Sequence, residues 1–395
     1  MLRHVKSPLL WALLVVGLSV GWENSVQDTS SVDFGKIYLR DNFLLVSELG
    51  KGIRMLDITN PSFPVDLGLT AIEGNHDMAL TTSSFGSQLN LYADSYANLL
   101  VYDISNPRRP LVVDTIYNIF QNARIMRWGD DFLGRPSPAL VDRVGGASSC
   151  AGCSETNYFV GPVSERGMVD DVVFADGSRS GRGGSMARFA VVDQYLYCID
   201  YNQLYVFEVT NPSAPRFLSR IDIGWGIETL FPYREYLFIG GQNGMFVYSR
   251  ANPRHPEYVS TFTHVRSCDP VVVEDTIAYV TLRGGTRCGT VVSALHLVSI
   301  KDISQPSLIT SYPLPQPMGL DVNQRIAFVC DDSAGVFVLN AADPNNIVEL
   351  SRIAGQNGYD AIDDGWRLII SSRSNISFYN VSNPRSPIFL GRYGS

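Results

Sequence analysis

One turn, repeated along the whole chain, limits what this sequence can fold into more than any other feature. Met55-Leu56-Asp57-Ile58-Thr59-Asn60-Pro61-Ser62-Phe63-Pro64 returns almost position for position as Val101-Tyr102-Asp103-Ile104-Ser105-Asn106-Pro107-Arg108-Arg109-Pro110. It recurs around Asn211-Pro212, Asn252-Pro253 and Asn383-Pro384, with degenerate copies at Ile303-Ser304-Gln305-Pro306 and Ala342-Asp343-Pro344. Proline fixes its own φ and has no N–H for a sheet ladder, while Asn and Asp accept tight turns, so each copy ends one strand and aims the next. Taking first prolines at 61, 107, 212, 253, 306, 344 and 384, the spacings are 46, 105, 41, 53, 38 and 40. A period of about 40 to 50 residues is that of a four-stranded propeller blade. The 105-residue interval holds one blade plus an insertion within about residues 115–185.

Each unit divides into four short strands, with Gly-rich hairpins such as Gly240-Gly241-Gln242-Asn243-Gly244 between the second and third. Such a blade is apolar on both faces, so blades must stack and the ring must close. The expected fold is therefore all-β, a seven-bladed β-propeller of four-stranded antiparallel blades spanning residues 36–395. The insertion is rich in Gly and Ser and reads as a lid over one rim.

At the N-terminus, Arg3, His4 and Lys6 precede an apolar run from Leu9 to Leu18, with Ser19 and Gly21 suiting cleavage before Trp22. Residues 1–21 are thus expected to be a signal peptide, followed by an N-terminal segment over 22–35. The run is short for a membrane span and no other stretch is long and apolar enough. Export would place six cysteines in an oxidising compartment. Cys268 and Cys288 fall near one rim and are expected to pair. Cys150 and Cys153 could form a small disulfide, a redox pair or half a zinc site. Cys198 and Cys330 end second strands and read as buried thiols. A net charge of −8 and the lack of any basic run argue against nucleic acid.

An apolar run into Asp-Ile-Ser-Asn-Pro-x-x-Pro resembles the LVIVD-repeat family of bacterial and archaeal cell-surface proteins. The resemblance spans about residues 36–393 and implies a propeller-like fold and a secreted, periplasmic or cell-surface location. It implies no catalytic activity. Many exported members carry a lipid-attachment cysteine at the end of the signal, and Leu18-Ser19-Val20-Gly21-Trp22 has none, which argues against lipid anchoring.

Aligning the blades puts Lys36, Asp77, Arg188, Glu228, Asp269, Met318 and Asp360 at equivalent starts of the innermost strands. Asp77, Glu228, Asp269 and Asp360 would then converge on the channel mouth, where carboxylates could hold Ca²⁺. Alternatively Lys36 and Arg188 neutralise part of that charge and the mouth is merely hydrated. His76, Trp225, Arg266 and Tyr359 flank these positions and suit a sugar or peptide. His76 beside Asp77 resembles half of an acid–base pair, but no nucleophile, phosphate loop or cofactor fingerprint accompanies it. The leading functional expectation is a non-enzymatic binding propeller for a protein, peptide or glycan at the cell envelope. A calcium-dependent, lactonase-like hydrolase at the acidic mouth and a structural or adhesion module are the alternatives.

Overall fold

A computed structural model describes residues 33–82, 88–120, 181–264, 270–284 and 293–394. Seven antiparallel sheets follow one another around a closed ring, and among the described residues there is no helix. The first blade is β1 (Phe34–Arg40), β2 (Phe43–Glu48), β3 (Gly52–Asp57) and β4 (Val65–Ala71). The second is β5 (Met78–Thr82), β6 (Leu89–Ser95), β7 (Asn98–Asp103) and β8 (Leu111–Ile116). A two-residue strand, β9 (Arg182–Gly183), precedes the third blade, which is β10 (Phe189–Val192), β11 (Tyr195–Ile199), β12 (Gln203–Glu208) and β13 (Arg216–Asp222). The fourth is β14 (Ile227–Tyr233), β15 (Tyr236–Gly241), β16 (Gly244–Ser249) and β17 (Glu257–Thr263). The fifth is β18 (Val271–Glu274), β19 (Ile277–Leu282), β20 (Ala294–Ser299) and β21 (Ser307–Pro313). The sixth is β22 (Pro317–Asn323), β23 (Ile326–Asp331), β24 (Gly335–Asn340) and β25 (Val348–Ile353). The seventh is β26 (Gly358–Asp363), β27 (Arg367–Ser372), β28 (Asn375–Asn380) and β29 (Ile388–Gly394).

Burial explains the composition of each strand. Second strands such as β2 and β27 are buried throughout, because a neighbouring blade covers each of their faces. They therefore read as unbroken apolar runs. Outermost strands such as β13 and β29 face water along most of their length. The core is accordingly divided into seams between blades, as where Ile362, Ile369 and Phe378 of the seventh blade meet Ile37, Leu44 and Val46 of the first.

The repeated turn does its work at those seams. In every blade the side chain of one Asn or Asp accepts the backbone N–H two residues on: Asn60, Asn106, Asn211, Asn252, Asp302, Asp343 and Asn383. This corrects the proline register: Asp302 caps the turn as Asp343 does in the next blade, Ile303 takes the first-proline position, and Pro306 takes the second. The separations on either side of residue 302 are then 50 and 41, closer to the common period.

In four blades the carbonyl after that Asn or Asp is bonded to the preceding blade. Pro212 accepts from the Tyr92 hydroxyl (2.9 Å), Pro253 from Tyr197 (2.9 Å), Ile303 from Ser260 (2.6 Å) and Pro384 from Ser351 (2.6 Å). Where the seventh blade meets the first, Gly391 fills the donor's place. A Cβ there would lie 2.5 Å from the Pro61 carbonyl, so only glycine fits. The same closing seam carries Arg367, 2% exposed, which donates to the Ile58 carbonyl (2.7 Å) and pairs with Asp364 (2.6 Å). Among the described residues no strand is exchanged between first and last blades. The ring closes through side chains and through the bond from Phe34 N–H to the Arg373 carbonyl.

The described ends of the insertion depart from expectation. Phe120 wedges against Phe189 and Tyr205 at the rim where innermost strands start, called here the hairpin rim. Gly181 lies beside Leu39 and Arg40, at the opposite rim where the Asn-Pro turns cluster. From there the chain climbs the central channel as β9, pairs antiparallel with the inner edge of β1, and turns down into β10. The described part of the expected lid is therefore a strap inside the channel. Residues 121–180, with Cys150 and Cys153, lie outside the described residues, as do residues 1–32, Arg266, Cys268, Asp269 and Cys288.

Candidate functional site

The channel and its hairpin rim collect most of the buried charge of the molecule. Lys36, Asp77, Arg188, Glu228, Met318 and Asp360 do begin innermost strands, as the blade alignment predicts, and all six are buried. Their partners keep them apart. Lys36 Nζ pairs with Asp77 Oδ2 at 2.7 Å, and the Arg188 backbone N–H donates to the same oxygen. Burial pushes the Asp77 carboxyl above its usual range, and Lys36 opposes that shift. Arg188 Nε donates to the Glu228 carbonyl (2.9 Å), while Glu228 Oε1 accepts from Gln242 (3.0 Å).

Asp360 lies across the channel, fully buried, with Oδ1 accepting from Ser185 Oγ at 3.1 Å. Among the described residues its Oδ2 has no hydrogen-bond partner, and it is covered by the strap, since a Cβ at Gly184 would lie 2.1 Å from it. Burial pushes this carboxyl up to about 8. Below it, Arg182 pairs with Asp321 (2.5 Å) and also donates to the Asp363 carbonyl. Burial raises Asp321, with Arg182 opposing, and takes Asp363 up to about 6. Asp269, the fourth carboxylate of the expected calcium set, lies outside the described residues. Among the described residues no three His, Cys, Asp or Glu side chains are grouped as a metal would need.

His76 is oriented, but by a residue that the sequence did not suggest. Its Nδ1 lies 3.1 Å from Asp94 Oδ2, and Asp94 Oδ1 accepts the backbone N–H groups of His76 and Asp77. Adjacent Asp77 is turned instead to Lys36. Asp94 ends a second strand, and Asp200 and Asp331 occupy the same place in the third and sixth blades, each accepting N–H groups of its own hairpin. Aligning second-strand ends would have exposed this acidic set. Trp225 stands 65% exposed on the hairpin rim, edge-on to Tyr201 at 5.7 Å. Tyr359 packs into the seam of the sixth and seventh blades. Cys198 and Cys330 are free and buried, and burial raises both thiols.

The repeat itself is matched by a known family. The LVIVD repeat family matches residues 92–117 and 183–223, which hold β7, β8 and the third blade with their Asn-Pro turns. The chain thus carries LVIVD repeats in those two segments. No curated protein matches it. Among solved structures, this ring is similar to a Lactobacillus plantarum protein at 10% identity, covering 92% of this chain and 95% of that one with a TM-score of 0.59. It is also similar to the periplasmic gluconolactonase of Pseudomonas aeruginosa (10% identity, 92% and 96% covered, TM-score 0.56). A computationally designed protein is matched too, at 9% identity over 92% and 87% of the two chains, with a TM-score of 0.52. Likeness at such identities shows the propeller fold alone, because function resides in sites grafted onto folds.

Proposed function

We propose that this chain is an exported propeller that binds a protein, peptide or glycan at the cell envelope through its hairpin rim. One observation carries the reading: the channel that would otherwise admit a substrate is filled by residues 181–187, whereas Trp225 stands exposed on the rim above it. An aromatic ring held open to solvent beside polar groups suits a sugar face or a peptide side chain. The N-terminal apolar run supports export, and the mass of the mature protein tests it, with an N-terminus at Trp22 expected.

For binding, peptide and glycan arrays would compare the wild type with Trp225→Ala and with Trp366→Ala on the turn rim. Signals should fall at least tenfold in the first variant only. Equal signals from all three proteins would contradict the reading. A second reading, hydrolysis at the rim, draws on the oriented His76–Asp94 pair, which could move a proton if a substrate reached it. Under that reading His76→Ala abolishes any esterase or lactonase activity found, and chelators decide whether calcium takes part.

A further inference from the structure

The strap resembles a bound ligand more than a structural element. The ring is complete without it: blades meet through their own apolar seams, and no residue from 181 to 187 joins those clusters. Yet five blades converge on residues 181–188, each contacting a different feature of the segment. The first blade receives it as an added strand, with Gly183 opposite Tyr38, the Tyr38 hydroxyl donating to the Gly181 carbonyl (2.8 Å), and the Gly184 N–H donating to the Ile37 carbonyl (3.0 Å). Asp321 of the sixth blade and the Asp363 carbonyl of the seventh receive the Arg182 guanidinium. Ser185 Oγ is held between Asp360 and the Leu320 N–H (2.8 Å). The second and fourth blades fix its end through Asp77 and the Leu230 N–H.

This is edge-strand addition, where main-chain bonds give affinity and side-chain pockets give specificity. Specificity is strict at Gly184, because the buried Asp360 carboxyl leaves no room for a Cβ. At Arg182 it is electrostatic: a carboxylate there would face Asp321.

We propose that the central channel is a peptide-recognition site, occupied in this chain by its own Gly-Arg-Gly-Gly-Ser segment, and that it takes extended, glycine-rich peptides bearing one arginine. The tether keeps the site filled, because a linked segment acts at about millimolar effective concentration. A peptide supplied by another molecule binds once the strap is displaced.

The test uses the full chain carrying Arg182→Glu with Gly184→Val, which places like charge against Asp321 and a side chain against Asp360. Hydrogen exchange should show the Leu230 and Leu320 amides losing protection while β11 and β12 keep theirs. A fluorescent Gly-Arg-Gly-Gly-Ser-Met-Ala peptide, titrated to millimolar concentration, should then bind the variant and not the wild type. Replacing its third glycine by alanine should weaken binding at least tenfold. The proposal is overturned if the strap stays protected in the double variant, if the opened channel binds no peptide, or if both peptides bind alike. Should the double variant fail to fold, Arg182→Ala alone should speed exchange at Gly184 and Leu320 at least tenfold, and unchanged exchange there would overturn the proposal equally.

Discussion

The seams between blades and the strap inside the channel are both buried, yet they are built from opposite materials. Apart from the closing seam with its Arg367, a seam joins aliphatic and aromatic side chains and is pinned by neutral hydroxyl-to-carbonyl bonds, such as Tyr92 to Pro212 and Ser260 to Ile303. The strap brings three glycines, a serine and an arginine to a wall lined by Asp321, Asp360 and Asp363. Hydrophobic burial without titrating groups is insensitive to pH, whereas buried carboxylates link docking to protons. The ring is thus expected to be robust and repetitive, and the strap conditional.

The largest single effect should come from the seam that closes the ring. Arg367→Ala removes a buried cation and orphans the Ile58 carbonyl, so it should cost about 3–5 kcal/mol of stability in urea unfolding. A loss below about 1 kcal/mol would mean that closure rests elsewhere.

Next comes the pH response of the strap. In the docked state Asp360 titrates near 8, while a solvated Asp titrates at about 4. Below about pH 4 both states hold the proton and docking is unaffected. Between about 4 and 8 only the docked state holds it, so docking weakens by up to about tenfold per pH unit and then levels off. Asp363, near 6 when docked, adds to the decline over the lower part of that window. Exchange over residues 181–188, corrected for intrinsic rates, should follow this slope, and Asp360→Asn should flatten it. Seam strands β11 and β12 should show no such slope, and a common slope would erase the contrast between the two regions.

Smaller effects sharpen the seam account. Tyr197→Phe leaves the Pro253 carbonyl without its donor and should cost about 1–2 kcal/mol in thermal unfolding. Ser260→Ala, beside a partly exposed turn, should cost about 1 kcal/mol at the Ile303 carbonyl. If both changes were neutral, the repeated turn would serve its own blade and not its neighbour.

The same contrast explains what could be read from the sequence. Blade number and strand order were legible because the turn is chemically local: an Asn or Asp caps its own backbone two residues on, whatever the rest of the chain does. Register slipped only in the fifth blade, where Asp302 and Ile303 replace the usual Asn-Pro pair. The innermost-strand starts were also legible, since each sits at a fixed distance from a recognisable second strand.

Pairing within the site was not legible. His76 seemed coupled to adjacent Asp77, but successive side chains diverge where a strand begins, and the partner is Asp94, 18 residues on. The strap was least legible of all. Its glycines carry no periodicity, and the acceptors of the Arg182 and Ser185 side chains lie 139 to 181 residues away in sequence. A Gly- and Ser-rich stretch read alone suggests a lid.

The claim that strap and ring are separable is tested most directly by hydrogen exchange on Gly184→Ala. The added methyl meets the Asp360 carboxyl at 2.1 Å. Exchange should rise across residues 181–188 and at Leu230 and Leu320, with the seam strands unchanged and the melting temperature close to that of the wild type. Parallel loss of protection in β11, β12 and β27 would show that the strap is part of what holds the ring together, and would contradict the account.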